Sequence, residues 1–407
     1  MTPIRVAVIA DYAEESWPSM DLVAEMLLDH LDREHDGIFS PVLIRPEMPR
    51  RLTKIPGLKS GKTFAIDRVV ARQLDYPRAL KSIAGEFDVF HVVDHTYAHL
   101  VHDLPAARTL VTCHDVDAFR SILQPREERR SAPFRWMSRR ILNGLKEAAH
   151  VACDSEATRT ALATLAGIPD AQLSVIPNGA DTGGLPDADA SADVEAARLI
   201  GSRRGIDLLH VGSTIDRKRI DVLLEVFAAV RAARPSVRLI RVGGPFTAEQ
   251  RVRARELGIA DAIVVLPFVD RATLAAVYRR AAIALLPSER EGFGLPLVEA
   301  LACGTPVVAS DIPALREVGG AAASYCPVGE IEAWRDCVLR LLEERERVPD
   351  AWRRRRNVGL ERASEFSWSR YTDRVAEVYH LLAGGGPARG TQANRHTRRA
   401  SMAELDA

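Results

Sequence analysis

The sequence predicts an α/β protein of two successive doubly wound units, each a parallel sheet covered by helices. Three observations lead there. Short β-branched apolar runs alternate with stretches of helical periodicity, the pattern of buried parallel strands joined by crossover helices. The alternation breaks off in a polar segment and then starts again with new residues. The length, 407 residues, exceeds what one ordinary hydrophobic core accommodates.

Taken in order, Ile4 to Ala10 is the first strand, and from Ser19 to Leu31 the residues Met20, Leu22, Val23, Met26, Leu27 and Leu31 recur at helical spacing. Further strands fall near Asp88 to Val93, Thr109 to Thr112, His150 to Ala152 and Leu173 to Ile176. From Gly183 the text turns small and polar, which reads as an interdomain linker. The second series runs through Leu208 to Val211, Leu239 to Val242, Ile263 to Leu266, Ala282 to Leu286, Pro306 to Ala309 and Ala323 to Tyr325. The expected organisation is a first domain over 1–183, a linker over 184–204, a second domain over 205–370, a helix over 371–383 and a disordered tail over 384–407. Open α/β sheets bind ligands beyond the carboxyl ends of their strands, so two facing sheets would place both sets of loops around one deep cleft.

Composition narrows the function classes. Lys plus Arg and Asp plus Glu both number 55, so no global field draws the chain to nucleic acid, and no nucleic-acid partner is expected. The five cysteines, Cys113, Cys153, Cys303, Cys326 and Cys337, are odd in number and lack a C-x-x-C pair. That argues against disulfides and structural zinc and points to a reducing, cytoplasmic setting. The opening residues read as a strand rather than a signal peptide, and no apolar stretch reaches the roughly 18 residues of a spanning helix. Membrane contact would then be peripheral, at the inner face.

The most informative stretch is LLPSEREGFGLPLVEALACGTPVVAS, Leu285 to Ser310, where a strand runs into a glycine-bearing turn, a short helix and another strand. Gly292 and Gly294 allow close backbone approach to a ligand, Pro296 suits a helix start, and Gly304 suits its stop. Unpaired N–H groups at that helix start favour a diphosphate. Glu291 and Glu299 flank the turn, spaced to reach opposite ends of a bound nucleotide sugar. After another strand, Arg217, Lys218 and Arg219 offer cations to the same diphosphate.

This stretch resembles the E-x7-E signature of retaining glycosyltransferases of the family-4 type, which have the GT-B fold. VIPNGAD from Val175, LLHVGSTIDRKRID from Leu208, FSW at Phe366 and the final helix from Tyr371 to Leu382 are similar to other landmarks of that family. The resemblance implies that the final helix returns to the first domain. It implies that Glu291 lies near the donor sugar, that Glu299 binds the ribose hydroxyls, and that backbone amides of Gly292, Phe293, Gly294 and Leu295 hold the diphosphate. Lys218 matches the family's phosphate-binding lysine. Many members carry an Arg after the strand glycine where this chain has Ser213, so Arg217 is the candidate second cation. His114, in TLVTCHDVDAF, matches a histidine that contacts the donor sugar, and the nucleotide base is expected near Phe268.

Acceptor contacts are less marked, because the glycine pair common after the family's first strand is missing. Strand ends present Glu14, Glu15 and Trp17, then Asp94, His95, Tyr97 and His99, as candidates for an acceptor pocket. Around Phe134 to Lys146, Phe134, Met137, Ile141 and Leu145 share a helical face, with Arg135, Arg139 and Arg140 elsewhere. Such a helix either docks on its own sheet or lies on an anionic membrane. The expected activity is retaining transfer of a hexose-type sugar from a UDP- or GDP-linked donor to a hydroxyl of a glycan, lipid-linked or small-molecule acceptor, in cell-surface polysaccharide or glycoconjugate synthesis. No cofactor is expected, and the second domain has no D-x-D metal motif. A sugar-nucleotide epimerase of the same fold, a catalytically silent partner subunit and a pyridoxal phosphate phosphorylase are the competing readings.

Overall fold

The computed structural model describes residues 2–57, 60–180, 189–201 and 205–384. They form two units. The first takes its described residues from Met1–Cys153, Arg159–Ile176 and the stretch 374–384; the second takes its described residues from Asp154–Thr158 and Pro177–Asp373.

In the first unit β1 (Ile4–Ile9), β2 (Phe39–Ile44), β3 (Val89–Val92), β4 (Thr109–Cys113), β5 (His150–Cys153) and β6 (Leu173–Val175) form one sheet. Its order is β2-β1-β3-β4-β5-β6, and all pairs are parallel. The interior of β3, β4 and β5 is fully buried, as a parallel sheet covered on both faces requires. Strand β2 has no counterpart in the sequence reading. It contains Ser40 and Pro41 and leaves Val42 and Leu43 exposed, which an edge strand tolerates. The final helix, Trp368–Ala383, contributes Tyr379, whose hydroxyl lies 2.7 Å from His91 Nδ1 on β3. Burial pushes the His91 imidazole down to about 3, so it is neutral there.

In the second unit β7 (Ile206–Val211), β8 (Val237–Val242), β9 (Ile263–Leu266), β10 (Ile283–Leu286), β11 (Val307–Ser310) and β12 (Ser324–Cys326) form the other sheet, in the order β12-β11-β10-β7-β8-β9. All five pairs are again parallel. The segment read as a linker is partly otherwise: Ala190–Ile200 is a helix, capped by Asp189, whose buried Ala192, Ala196 and Ile200 join the core of this unit. Spacing of four residues puts these three on one face, and small side chains let that face lie close. The remaining linker residues, 184–188 and 202–204, and the tail beyond 384 fall outside the described residues.

Candidate functional site

Strand order reverses direction between β7 and β10 in the second unit, and open α/β sheets place ligands at the carboxyl ends of strands beside such a switch point. The loops that follow these two strands carry the charged side chains. After β7 the chain passes Gly212 and Ser213, makes a turn at Asp216–Lys218, and enters helix Ile220–Ala233 through Arg219 at φ 48°. After β10 it runs through Ser288 to Gly294 into helix Leu295–Ala302. The loops are tied together: Glu289 N–H donates to the Arg217 carbonyl at 2.8 Å, and Arg217 Nη1 donates to the Arg290 carbonyl at 3.0 Å.

Glu291 is the focus. Its Oε1 accepts from Lys218 Nζ at 2.6 Å and Ser288 Oγ at 2.7 Å, while Oε2 accepts from Arg217 Nη1 at 3.0 Å. Burial pushes this carboxyl group upward in pKa, but Lys218 and Arg217 outweigh it, and Glu291 titrates below the ordinary range. Three sequence candidates thus meet in one charge cluster. Gly294 caps the next helix in the left-handed region at φ 96°, and a Cβ there would lie 2.5 Å from Leu315 Cδ2. Only glycine fits that start. Gly292 is not among the glycines with positive φ. The Phe293 ring is buried 5.6 Å from the ring of Phe366, so what this residue offers a ligand is its backbone. Leu295 and Pro296 open the helix, and Gly304, at φ 67°, follows its end.

Glu299, on the same helix, accepts from the buried Tyr278 hydroxyl at 2.8 Å. Burial and then the Glu299 charge push the Tyr278 phenol well above its usual range, so the hydroxyl stays a donor. Phe268 is 69 % exposed and stands beside Gly244, on the loop that follows β8. Ser213 is half-buried next to Gly212.

In the first unit the strand reversal lies at β1 between β2 and β3. His114, after β4, donates from Nε2 to the Val93 carbonyl at 2.8 Å, and its backbone N–H meets His95 Nδ1 at 3.3 Å. His95 Nε2 lies 3.5 Å from Asp115 Oδ1. Asp94 accepts from Thr96 N–H and Thr96 Oγ1 and so starts the helical turns His95–Asp103. Tyr97 and His99 are buried, as Asp94 and His95 are. The Tyr97 hydroxyl donates to Glu15 Oε1 at 2.6 Å beneath the Arg72 guanidinium, and His99 Nε2 donates to the Arg72 carbonyl. Glu14 accepts from Met48 N–H. Trp17, just before helix Pro18–Glu34, is 43 % exposed.

Two family models match this chain: glycosyl transferases group 1 over residues 202–358 and Glycosyltransferase Family 4 over residues 30–183. The two models follow one another along the chain, so that each half of it is similar to glycosyltransferases. It is similar to the D-inositol 3-phosphate glycosyltransferase of Segniliparus rotundus, 33 % identical over 226 residues that cover 53 % of this chain and 48 % of that one. It is likewise 33 % identical over 219 residues to the phosphatidyl-myo-inositol mannosyltransferase of Mycobacterium leprae, covering 52 % of this chain and 54 % of that one. The chain therefore spans about half the length of these relatives. In fold it is similar to sucrose-phosphate synthase from Thermosynechococcus elongatus, with TM-score 0.70, 21 % identity, and coverage of 94 % of this chain and 100 % of that one. Anabaena HepE in complex with UDP and glucose gives TM-score 0.68 at 17 % identity, covering 93 % of this chain and 99 % of that one. Both neighbours share the two-domain α/β fold.

The candidate site includes residues that sequence reasoning missed. Arg241 on β8 is fully buried and donates to the carbonyls of Gly212, Gly243 and Gly244, which ties the loops after β7 and β8 together. Burial pushes its guanidinium down to about 10. His210 on β7 is buried below Gly212 and is pushed down to about 3 by burial and then by the Arg241 and Lys218 charges. A charged residue inside the strand text VRLIRV was the available signal, since a buried parallel strand tolerates a cation only where carbonyls or carboxylates receive it. In the first unit Asp11, just past β1, is 1 % exposed, and neither carboxylate oxygen has a hydrogen-bond partner among the described residues. Among the described residues no helix is long and apolar enough to cross a membrane.

Proposed function

We propose that the protein transfers a hexose-type sugar from a UDP- or GDP-linked donor to an acceptor hydroxyl, with retention of the anomeric configuration. The observation that carries this reading is the convergence of Lys218 Nζ and Arg217 Nη1 on Glu291, beside the Gly294 turn that opens helix Leu295–Ala302. The names of the similar proteins, inositol phosphate glycosyltransferases and an inositol-lipid mannosyltransferase, support sugar transfer to a hydroxyl-bearing acceptor. The UDP complex of a fold neighbour makes a uridine donor the first to test.

In this mechanism the bond from the anomeric carbon to the diphosphate oxygen breaks as the acceptor oxygen bonds to the same face, and the departing phosphate oxygen takes the acceptor proton. The transition state is oxocarbenium-like, and negative charge grows on the leaving diphosphate. Lys218, Arg217 and the amides of Gly292, Phe293, Gly294 and Leu295 meet that charge, so no metal ion or other cofactor is required. Glu291 holds both cations in place before the donor arrives. Glu299, with Tyr278 behind it, binds the ribose hydroxyls, and Phe268 and Ser213 contribute to the nucleotide pocket. The first unit recognises the acceptor with Trp17, Asp94 and His95, and His114 meets the transferred sugar. The helix Ala132–Glu147 rests on an anionic membrane surface, which suits a lipid-linked acceptor in glycoconjugate synthesis.

A thermal-shift screen against UDP, GDP and ADP tests the donor site, since ligand at 100 times its dissociation constant adds about 2.7 kcal/mol to stability. NMR of the product then reads the anomer. No shift with any nucleoside diphosphate, an inverted product, or activity abolished by EDTA and restored by magnesium would overturn the reading.

A further inference from the structure

The carbonyl of Gly292 is held from an unexpected quarter. Ser155 lies between β5 and the rest of the helix Glu156–Ala161, yet its contacts group the segment Asp154–Thr158 with the second unit. Ser155 is fully buried, and its Oγ donates to the Gly292 carbonyl. Thr158 Oγ1 approaches the same carbonyl at 3.5 Å. The segment is fixed in turn by the helix start it forms. Thr158 N–H donates to Ser155 Oγ at 3.1 Å, while Glu156 N–H and Ala157 N–H donate to the Glu317 carboxylate at 2.7 and 3.1 Å. All three amides of that first turn are thereby satisfied, and the one that holds the Ser155 hydroxyl directly is Thr158 N–H.

A trans peptide is planar, and its C=O and N–H point in opposite directions. Anchoring the Gly292 carbonyl therefore fixes where the Phe293 N–H points. Glycine itself does little to hold that plane, because it has no Cβ to restrict rotation. We propose that Ser155 is a positioning residue for the anion site: by holding the Gly292 carbonyl it aims the Phe293 amide at the phosphates of a nucleoside diphosphate. The inference rests on the donor-site reading above and adds a residue 137 positions distant from Gly292 in sequence.

The test compares Ser155→Ala, Ser155→Thr and Glu317→Gln with the unaltered chain by titration calorimetry against UDP, GDP and ADP, each beside its monophosphate. Ser155→Ala is expected to weaken diphosphate binding about tenfold, the equivalent of about 1.4 kcal/mol, and to narrow the gap between diphosphate and monophosphate. Ser155→Thr keeps the hydroxyl and restores the affinity. Glu317→Gln loosens the same helix start without touching Gly292 and leaves nucleotide affinity within twofold. Hydrogen exchange at Phe293 and Gly294 in the unliganded chain is expected to quicken in Ser155→Ala alone. Equal affinities for Ser155→Ala and the unaltered chain overturn the proposal, as does a Glu317→Gln loss that matches Ser155→Ala. Absence of diphosphate binding by the unaltered chain overturns the donor-site reading instead. If Ser155→Ala does not fold, Ser155→Cys, a weaker donor of similar size, carries the same comparison.

Discussion

Lys218 Nζ stands 2.6 Å from Glu291 Oε1, with side chains 13 % and 5 % exposed. Breaking a buried pair from one side leaves the other charge without compensation, which typically costs about 3–5 kcal/mol. Arg217 remains on Glu291 at 3.0 Å, so Lys218→Ala is expected to fall at or below the low end of that range. The double variant Lys218→Met with Glu291→Leu is expected to be more stable than the sum of the two single changes, as urea unfolding of the four proteins will measure. In the kinetics, Lys218→Ala should lower kcat/KM about a hundredfold, by the loss of one donor to growing charge. A stable Lys218→Ala enzyme with near-normal kcat/KM would refute the phosphate role.

Glu299 calls for a different signature. Bonds to ribose hydroxyls exist in both ground and transition states, so Glu299→Ala should raise KM for the donor more than it lowers kcat. Tyr278→Phe removes only the hydroxyl that Glu299 accepts at 2.8 Å. It should show the same pattern at smaller size, a KM increase of about threefold to tenfold for one hydrogen bond. Steady-state kinetics with varied donor decides this, and a Tyr278→Phe defect confined to kcat contradicts the assignment.

What the sequence disclosed and what it hid follow from where the determining contacts lie. Among the described residues, eleven of the twelve strands were readable because buried parallel strands are mostly apolar and β-branched. β2 was not, since an edge position allows Ser40, Pro41 and exposed apolar residues. Ala190–Ile200 was obscured by small side chains that resemble a linker in composition, although Ala192, Ala196 and Ile200 do keep helical spacing. At the site, Gly294, Glu291 and Lys218 announce themselves through turn chemistry and charge. Tyr278 and Ser155 do not, and Arg241 shows only that a strand carries a cation, because their roles depend on which strands and loops become neighbours, and a linear text does not carry sheet order.

The helix Ala132–Glu147 resolves its two faces clearly. Leu142 and Leu145 turn inward, whereas Phe134 and Trp136 are 36 % and 55 % exposed beside the exposed Arg135 and Arg139. Arg140 is half-buried, with Nη2 3.8 Å from Asp103, and contributes less to the outer face. The triple change Trp136→Ala, Arg135→Ala and Arg139→Ala should therefore reduce binding to vesicles rich in phosphatidylglycerol about tenfold or more, on the scale of about 1 kcal/mol per basic residue near an anionic surface. Vesicle sedimentation is the measurement. Unchanged binding, or no binding by the unaltered chain, would remove the membrane from the proposed function.

Asp11 makes a prediction about pH whose sign is fixed by its surroundings. Burial first, then the charges of Asp94 and Asp21, push its carboxyl up to about 7, against the partial opposition of its own backbone amide and then of Arg45. Unfolded, it titrates near 3.8. Between these values the folded chain holds a proton that the unfolded chain lacks, so this group's contribution is complete below the lower value and is lost as pH rises to the upper one. Three buried histidines in the same unit work the other way. His91, His99 and His150 are pushed down to about 3, 3 and 4, chiefly by burial, so they favour folding above pH 6.5 and withdraw that support as pH falls. The stability of the unaltered protein should consequently rise from pH 4 to 6.5, with Asp11 hidden beneath the histidines. Asp11→Asn isolates it. The stability of the variant relative to the unaltered chain should climb from pH 4 to 7, by at most about 1.4 kcal/mol per pH unit for one proton, and level off above. Urea unfolding of both proteins at intervals of half a pH unit measures that difference. A difference that stays flat across the window would mean that Asp11 is ionised in the fold, with a partner that compensates its burial.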